Sequence, residues 1–151
     1  RKKFTKSEYA QTHPAGQLGR NLLFNVNDVM HPLSKIALVR SDTLISDLVI
    51  EMTKHPLGAA CVVQEGKLLG IVTDGDLRRS LMNNKNLLNM TTKKIMNVKP
   101  KTIDPSLSLG EALLIMEEGS RQISVLPVAE PGQDNLMGLL RLHDIYSTGN
   151  K

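Results

Sequence analysis

The sequence predicts an α+β fold in which two copies of a β-α-β-β-α unit pack as a pseudo-twofold pair. Three observations carry this reading: the same order of signals occurs twice, each copy is too short to bury much surface alone, and the apolar residues are almost all aliphatic. With two Phe, two Tyr and no Trp in 151 residues, the core must be built from Leu, Ile, Val and Met. A chain of this length holds one ordinary domain or two small repeats with a shared core, and it excludes two independent enzymes.

The first copy runs from about Val26 to Arg79. It opens with Val26-Asn27-Asp28-Val29-Met30 and an apolar stretch, Ile36 to Val39. A helix follows from about Thr43, because Leu44, Ile45, Leu48, Val49 and Met52 recur at helical spacing. Cys61-Val62-Val63 and Leu69-Gly70-Ile71-Val72 then flank Glu65-Gly66, the signature of two strands joined by a tight turn. The unit ends in Thr73-Asp74-Gly75-Asp76, where a second helix begins.

The second copy, Thr92 to about Tyr146, repeats the order. Lys94-Ile95-Met96 leads, and Lys101-Thr102-Ile103 follows as the match to Ile36–Val39. Ser108-Leu109-Gly110-Glu111 fits a capping box ahead of Leu109, Ala112, Leu113 and Met116 on one helical face. Ser124 to Val128 is the next strand, in which Pro127 requires an edge or a bulge, and Gly138-Leu139-Leu140-Arg141-Leu142-His143-Asp144 closes the unit. Met30 to Met96 is 66 positions and Asp76 to Asp144 is 68, so the register slips by two residues. The resulting division is residues 1–25 as a preceding segment and linker, 26–84 as the first repeat and 85–151 as the second.

Composition removes several function classes. Scarce aromatic side chains argue against a module that stacks nucleic-acid bases. The net charge of +4 comes partly from Arg1, Lys2, Lys3 and Lys6, and the other cations are interspersed with acids, as on a solvated surface. The lone Cys61 lies in an apolar run and reads as a small buried hydrophobe, with no disulfide framework. No apolar stretch approaches the roughly 20 residues that span a bilayer, and no signal-peptide segment stands at the start, so no membrane partner and a cytoplasmic location are expected. A chain beginning with Arg1 is read as a fragment of a longer protein. Asp74-Gly75-Asp76 lacks the further ligands of a calcium loop, so no metal site is expected.

Strand, Gly-apolar-apolar-Thr-x-x-Asp, helix, together with the leading Val-Met pattern and the duplication, resembles the CBS-domain pair over about 120 residues. In that setting Thr73, at a strand-to-helix junction, either joins free backbone N–H groups in holding a phosphate or, like Asp74, caps the helix. Asp76 either meets the vicinal hydroxyls of a ribose or complements the helix dipole. In the second copy Arg141 stands where the family pattern has Ser or Thr, and His143 precedes Asp144. This departure suits a ligand with extra negative charge better than a plain adenine nucleotide. The alternative is a strand-end arginine paired with a neighbouring acid and an ordinary helix-start histidine. Asp74, beside Thr73, and Arg121, just before the strand at Ile123, are further ligand-binding candidates.

The segment before the repeats, His13-Pro14-Ala15-Gly16-Gln17-Leu18-Gly19-Arg20, followed directly by such a pair, resembles the D-arabinose 5-phosphate isomerases, as does Thr73-Asp74-Gly75-Asp76-Leu77-Arg78-Arg79. The resemblance implies a parent enzyme that interconverts ribulose 5-phosphate and arabinose 5-phosphate on the route to the Kdo sugar of lipopolysaccharide. It makes His13 a catalytic residue of that parent only, since a histidine suits proton transfer through an enediol; on turn chemistry alone His13-Pro14 is a turn before a linker. Ala15 replaces a glycine common in the family. The chain itself is then a regulatory module whose cleft binds a nucleotide or nucleotide-sugar, an adenine nucleotide or CMP-Kdo. The phosphate and carboxylate would meet Thr73, Arg141 and His143, with Asp76 or Asp144 on ribose. No cofactor for chemistry is implied; the implied partners are the small-molecule ligand, the sugar-isomerase domain and a second copy in a homo-oligomer. A ligand-independent oligomerisation element is the rival reading.

Overall fold

Glu65 and Gly66 hold φ of 52° and 78°, the doubly left-handed turn that matches the twist of a two-residue hairpin. In the computed structural model, which describes residues 22–118 and 123–147, that turn joins β3 (Ala59–Gln64) to β4 (Lys67–Thr73). Before it come α1 (Val26–Val29), β1 (His31–Pro32), β2 (Ala37–Val39) and α2 (Ile45–Lys54), and after it α3 (Asp74–Asn83). The second copy supplies a 3-10 turn at Thr92–Lys94, then β5 (Asn97–Val98), α4 (Leu109–Glu117), β6 (Val125–Ala129), β7 (Leu136–Arg141) and α5 (Leu142–Ser147). The α+β architecture of two repeats is the one the duplication predicts.

Each helix is set by local chemistry. The Ser108 hydroxyl accepts from the Glu111 N–H at 3.1 Å and the Glu111 carboxylate accepts from the Ser108 N–H at 3.3 Å, which completes the predicted capping box of α4. Along α2, Ile45, Leu48 and Met52 are buried as their spacing requires. The helix starts two residues later than the apolar periodicity suggests. The Thr43 carbonyl instead accepts from the backbone N–H and the hydroxyl of Thr92, at 2.8 and 2.7 Å, and Leu44 is the extended N-cap. Pro127 sits in β6, on the edge of its three-stranded sheet, with a register shift between Val128 and Ala129. Both features are those expected for a residue that lacks an N–H.

The two sheets exchange their leading strands. One sheet has the order β2-β3-β4-β5 and the other β1-β7-β6, so β1 of the first copy pairs with β7 of the second, and β5 of the second pairs with β4 of the first. The segments ahead of these strands cross as well. The Val26 N–H donates to Leu107 and the Leu109 N–H to Phe24, while the Lys93 N–H donates to Ser41 and the Ile45 N–H to Met90. Leu22 and Val26 are accordingly buried in the core beneath α4 and α5.

Glycine permits the crossing. A Cβ on Gly138 would stand 2.5 Å from the His31 carbonyl oxygen and 2.9 Å from the Met30 sulfur; on Gly70 it would stand 2.8 Å from the Asn97 carbonyl oxygen and 2.9 Å from the Met96 sulfur. Between the sheets lies a shared layer with Ile36, Cys61 and Ile71 from the first copy and Val125, Leu136 and Leu139 from the second. Burial pushes the Cys61 thiol up to about 12, so it remains a protonated, inert filler of that layer.

The crossing makes a direct prediction. Gly138→Ala is expected to destabilise the chain by about 1–3 kcal/mol, because the obstructing atom is backbone and the added methyl overpacks the site. Urea unfolding of the variant beside wild type measures this, and unchanged stability would show that the exchanged strand is not held against β7.

Candidate ligand-binding cleft

The strand-to-helix junctions of the two copies face one cleft of about 800 Å³. Thr73, Asp74, Asp76, Arg141 and His143 all line it, so five of the residues singled out from the sequence converge on one place. Asp144 is buried behind Arg141 and does not line it. Arg121 and His13 lie outside the described residues.

At the first junction Thr73 is the N-cap of α3. Its hydroxyl accepts from the Asp76 N–H at 3.2 Å and donates to the Asp76 carboxylate at 3.0 Å, and its own N–H donates to the same carboxylate at 2.8 Å. The Asp74 N–H donates to the Gly58 carbonyl at 3.0 Å. Asp76 also accepts from Arg79 Nη2 and from Asn97 Nδ2, both at 2.8 Å. Of the two roles open to this pair in the sequence, capping is the one these bonds display. Asp76 also ties α3 to the exchanged strand β5.

The second junction is built on the same plan with different chemistry. Arg141 replaces threonine, and its guanidinium grips Asp144 side-on, Nε to Oδ2 at 3.1 Å and Nη2 to Oδ1 at 2.8 Å, with its backbone N–H donating at 3.2 Å. His31 from the exchanged strand β1 reaches the same carboxylate, Nε2 to Oδ2 at 2.9 Å. His31 thus corresponds to Asn97, each following the repeated methionine. The pairing of Arg141 with a neighbouring acid is realised, and the same arginine forms part of the cleft wall.

Burial pushes the Asp144 carboxyl up, but the hydrogen bonds from Arg141 and the charges of His31 and Arg141 outweigh it, and its pKa lies below the ordinary value. The cleft wall carries Arg78, Arg79 and Arg141 against Asp74 and Asp76, with His143 exposed beside them, an arrangement that favours an anion.

A narrower slot of about 220 Å³ opens beside the cleft and shares Thr73, Asn97, Ile123 and Val125 with it. Ile71, Leu126 and Pro127 make its wall apolar, and Lys101 stands in its lining. Sequence reasoning missed Gly58 and Ser124 of the cleft wall and the second member of each repeated Met-x pair, His31 and Asn97. Aligning the copies through Met30 and Met96 was the available signal for the last two. Among the described residues no group of three metal-ligating side chains occurs, and no helix is long and apolar enough to cross a membrane.

Comparison with known proteins bears on this cleft. The family model described as CBS domain matches residues 26–83 and 93–149. Arabinose 5-phosphate isomerase KdsD of Pseudomonas aeruginosa is 40% identical over 147 residues, covering 97% of this chain, and the chain spans 44% of that relative's length. Among solved structures, the CBS domain pair of protein MJ0100 in complex with 5′-methylthioadenosine and S-adenosyl-L-methionine superposes with a TM-score of 0.72 at 24% identity, over 85% of this chain and 99% of that one. CBSX2 in complex with AMP, a CBS-pair protein of Arabidopsis thaliana, does so with 0.64 at 21% identity, over 82% and 93%.

The depressed Asp144 predicts a pH dependence of stability. A carboxyl whose pKa is lower folded than unfolded stabilises the fold fully above the unfolded value of about 3.9 and loses that contribution as pH falls through the folded value. Asp144→Asn is expected to cost about 2 kcal/mol at neutral pH, the usual scale for hydrogen bonds to a charged group. The gap from wild type should narrow progressively below pH about 4. Urea unfolding from pH 7 to pH 2.5 measures both, and a gap independent of pH would contradict the assignment.

Proposed function

The chain belongs to the CBS-domain family, and on that premise we propose that the cleft between its repeats binds a nucleotide or nucleotide-sugar as a regulatory ligand. The observation that carries this reading is the continuity of the apolar slot with the arginine-bearing cleft. A base packs between Ile71, Ile123 and Pro127 while the attached anionic groups reach Arg78, Arg141 and His143. The AMP named for one solved CBS pair, and the adenine nucleosides 5′-methylthioadenosine and S-adenosyl-L-methionine named for the other, support a ligand with a nucleoside part. Replacement of threonine by Arg141 favours a ligand with a second anionic group, such as the carboxylate of CMP-Kdo, over AMP.

The identity with the KdsD relatives supports a parent that is a cytoplasmic arabinose 5-phosphate isomerase of lipopolysaccharide synthesis, with His13 in its active site and this pair biasing its activity. Such control requires the ligand to bind two states of the parent with different affinity. A second reading is favoured by Ile50 on α2 and by Leu81 and Met82 on α3, which are 51%, 60% and 86% exposed. These residues suit a contact between copies of the chain.

A thermal-shift panel of AMP, ATP, CMP and CMP-Kdo separates the readings. Saturation at about 100 times Kd stabilises a protein by about 2.7 kcal/mol. The expected result is a selective shift, largest for CMP-Kdo and lost in Arg141→Ala. No shift with any of the four, alongside ligand-independent dimerisation by light scattering, would overturn the sensor reading in favour of oligomerisation.

A further inference from the structure

The two junctions share a plan and differ in charge. In the first, Asp76 is held by the neutral amide of Asn97 and by Arg79 one turn along α3, and the N-cap position is the uncharged Thr73. In the second, Asp144 is held by His31, and Arg141 stands in the place of Thr73. Asp144 is only 8% exposed, and both His31 and Arg141 favour its charged form. An ionised carboxylate only accepts, so His31 Nε2 carries the proton in this contact.

A guanidinium has five N–H groups, and the side-on grip on Asp144 uses two of Arg141's. Among the described residues no acceptor takes the other three, and Arg141 lines the cleft. The grip fixes which edge of the guanidinium remains for a ligand. His31, 113 positions away in sequence, fixes the carboxylate that the grip depends on. Resting on the cleft reading above, we infer that His31 is a positioning residue that acts through Asp144 to aim Arg141 at the anionic group of the ligand. The exchanged strand of the first repeat then determines how the second repeat recognises charge. The alternative, a contact that only fastens β1 to α5, would affect the fold and leave the choice between charged and neutral ligands untouched.

Calorimetric titration of the 151-residue chain with two matched pairs, CMP with cytidine and AMP with adenosine, tests this. In wild type the monophosphate of at least one pair binds more tightly than its nucleoside. His31→Ala is expected to weaken that monophosphate about tenfold and its nucleoside less than about twofold, a tenfold change being about 1.4 kcal/mol. His31→Asn, which copies the amide of Asn97, recovers most of the preference. In an Arg141→Gln background His31→Ala changes neither ligand further, since the two residues act in series. If His31→Ala is unfolded at the titration temperature, His31→Phe keeps the ring volume without the donor and is expected to give the same selective loss. Equal weakening of both members of a pair, or no change, overturns the positioning role while leaving the cleft reading standing. Failure of wild type to prefer the monophosphate in either pair overturns the positioning role, and failure to bind any of the four or CMP-Kdo overturns both.

Discussion

The reciprocal exchange of leading strands is the constraint on which the rest of the molecule depends. β1 lies against β7 and β5 against β4 only because Gly138 and Gly70 present no side chain where the crossing backbones pass. Once the strands have crossed, neither repeat has a sheet or a core of its own. Val26 fills the second core, the Thr92 turn closes the first, and the layer between the sheets draws on both. A pair of units that each bury little surface alone thereby becomes one cooperative body.

The same crossing assembles the cleft. β5 carries Asn97 to Asp76 and β1 carries His31 to Asp144, so each helix-start carboxylate is clasped by a residue of the opposite repeat. Both carboxylates are therefore structural as well as adjacent to the ligand space. On the proposed reading, recognition passes to the groups around them, the apolar slot at Ile123 and Pro127 and the cations Arg78 and Arg141. The pseudo-twofold symmetry is kept in the backbone and broken in the chemistry, with a threonine cap and the Asn97 amide on the carboxylate at one end of the cleft and Arg141 with His31 on it at the other.

Local signals in the sequence were reliable because the interactions behind them are local. Glu65-Gly66 specified its turn, Ser108 and Glu111 specified their cap, and Pro127 specified an edge. The duplication, with its two Gly-apolar-apolar motifs, specified the fold and brought Thr73, Asp74, Asp76, Arg141 and His143 to one cleft. The exchange itself was not legible, since a two-residue strand pairs by backbone and nothing in His31-Pro32 or Asn97-Val98 states which sheet receives it. For the same reason His31 and Asn97 were missed as partners of the carboxylates. Whether Asp76 serves a helix cap or a ribose was equally beyond the spacing, which is common to both roles.

The central claim is that one cleft, walled by both repeats, takes the ligand. Backbone amide NMR of the isotopically labelled chain, titrated with CMP and AMP in turn, tests it most directly. The account predicts that at least one of them shifts Gly58, Thr73 and Asn97 together with Ser124 and Arg141, residues that share the cleft wall and come from both halves of the sequence. Shifts confined to one repeat, or to the outer faces of α2 and α3, would contradict it.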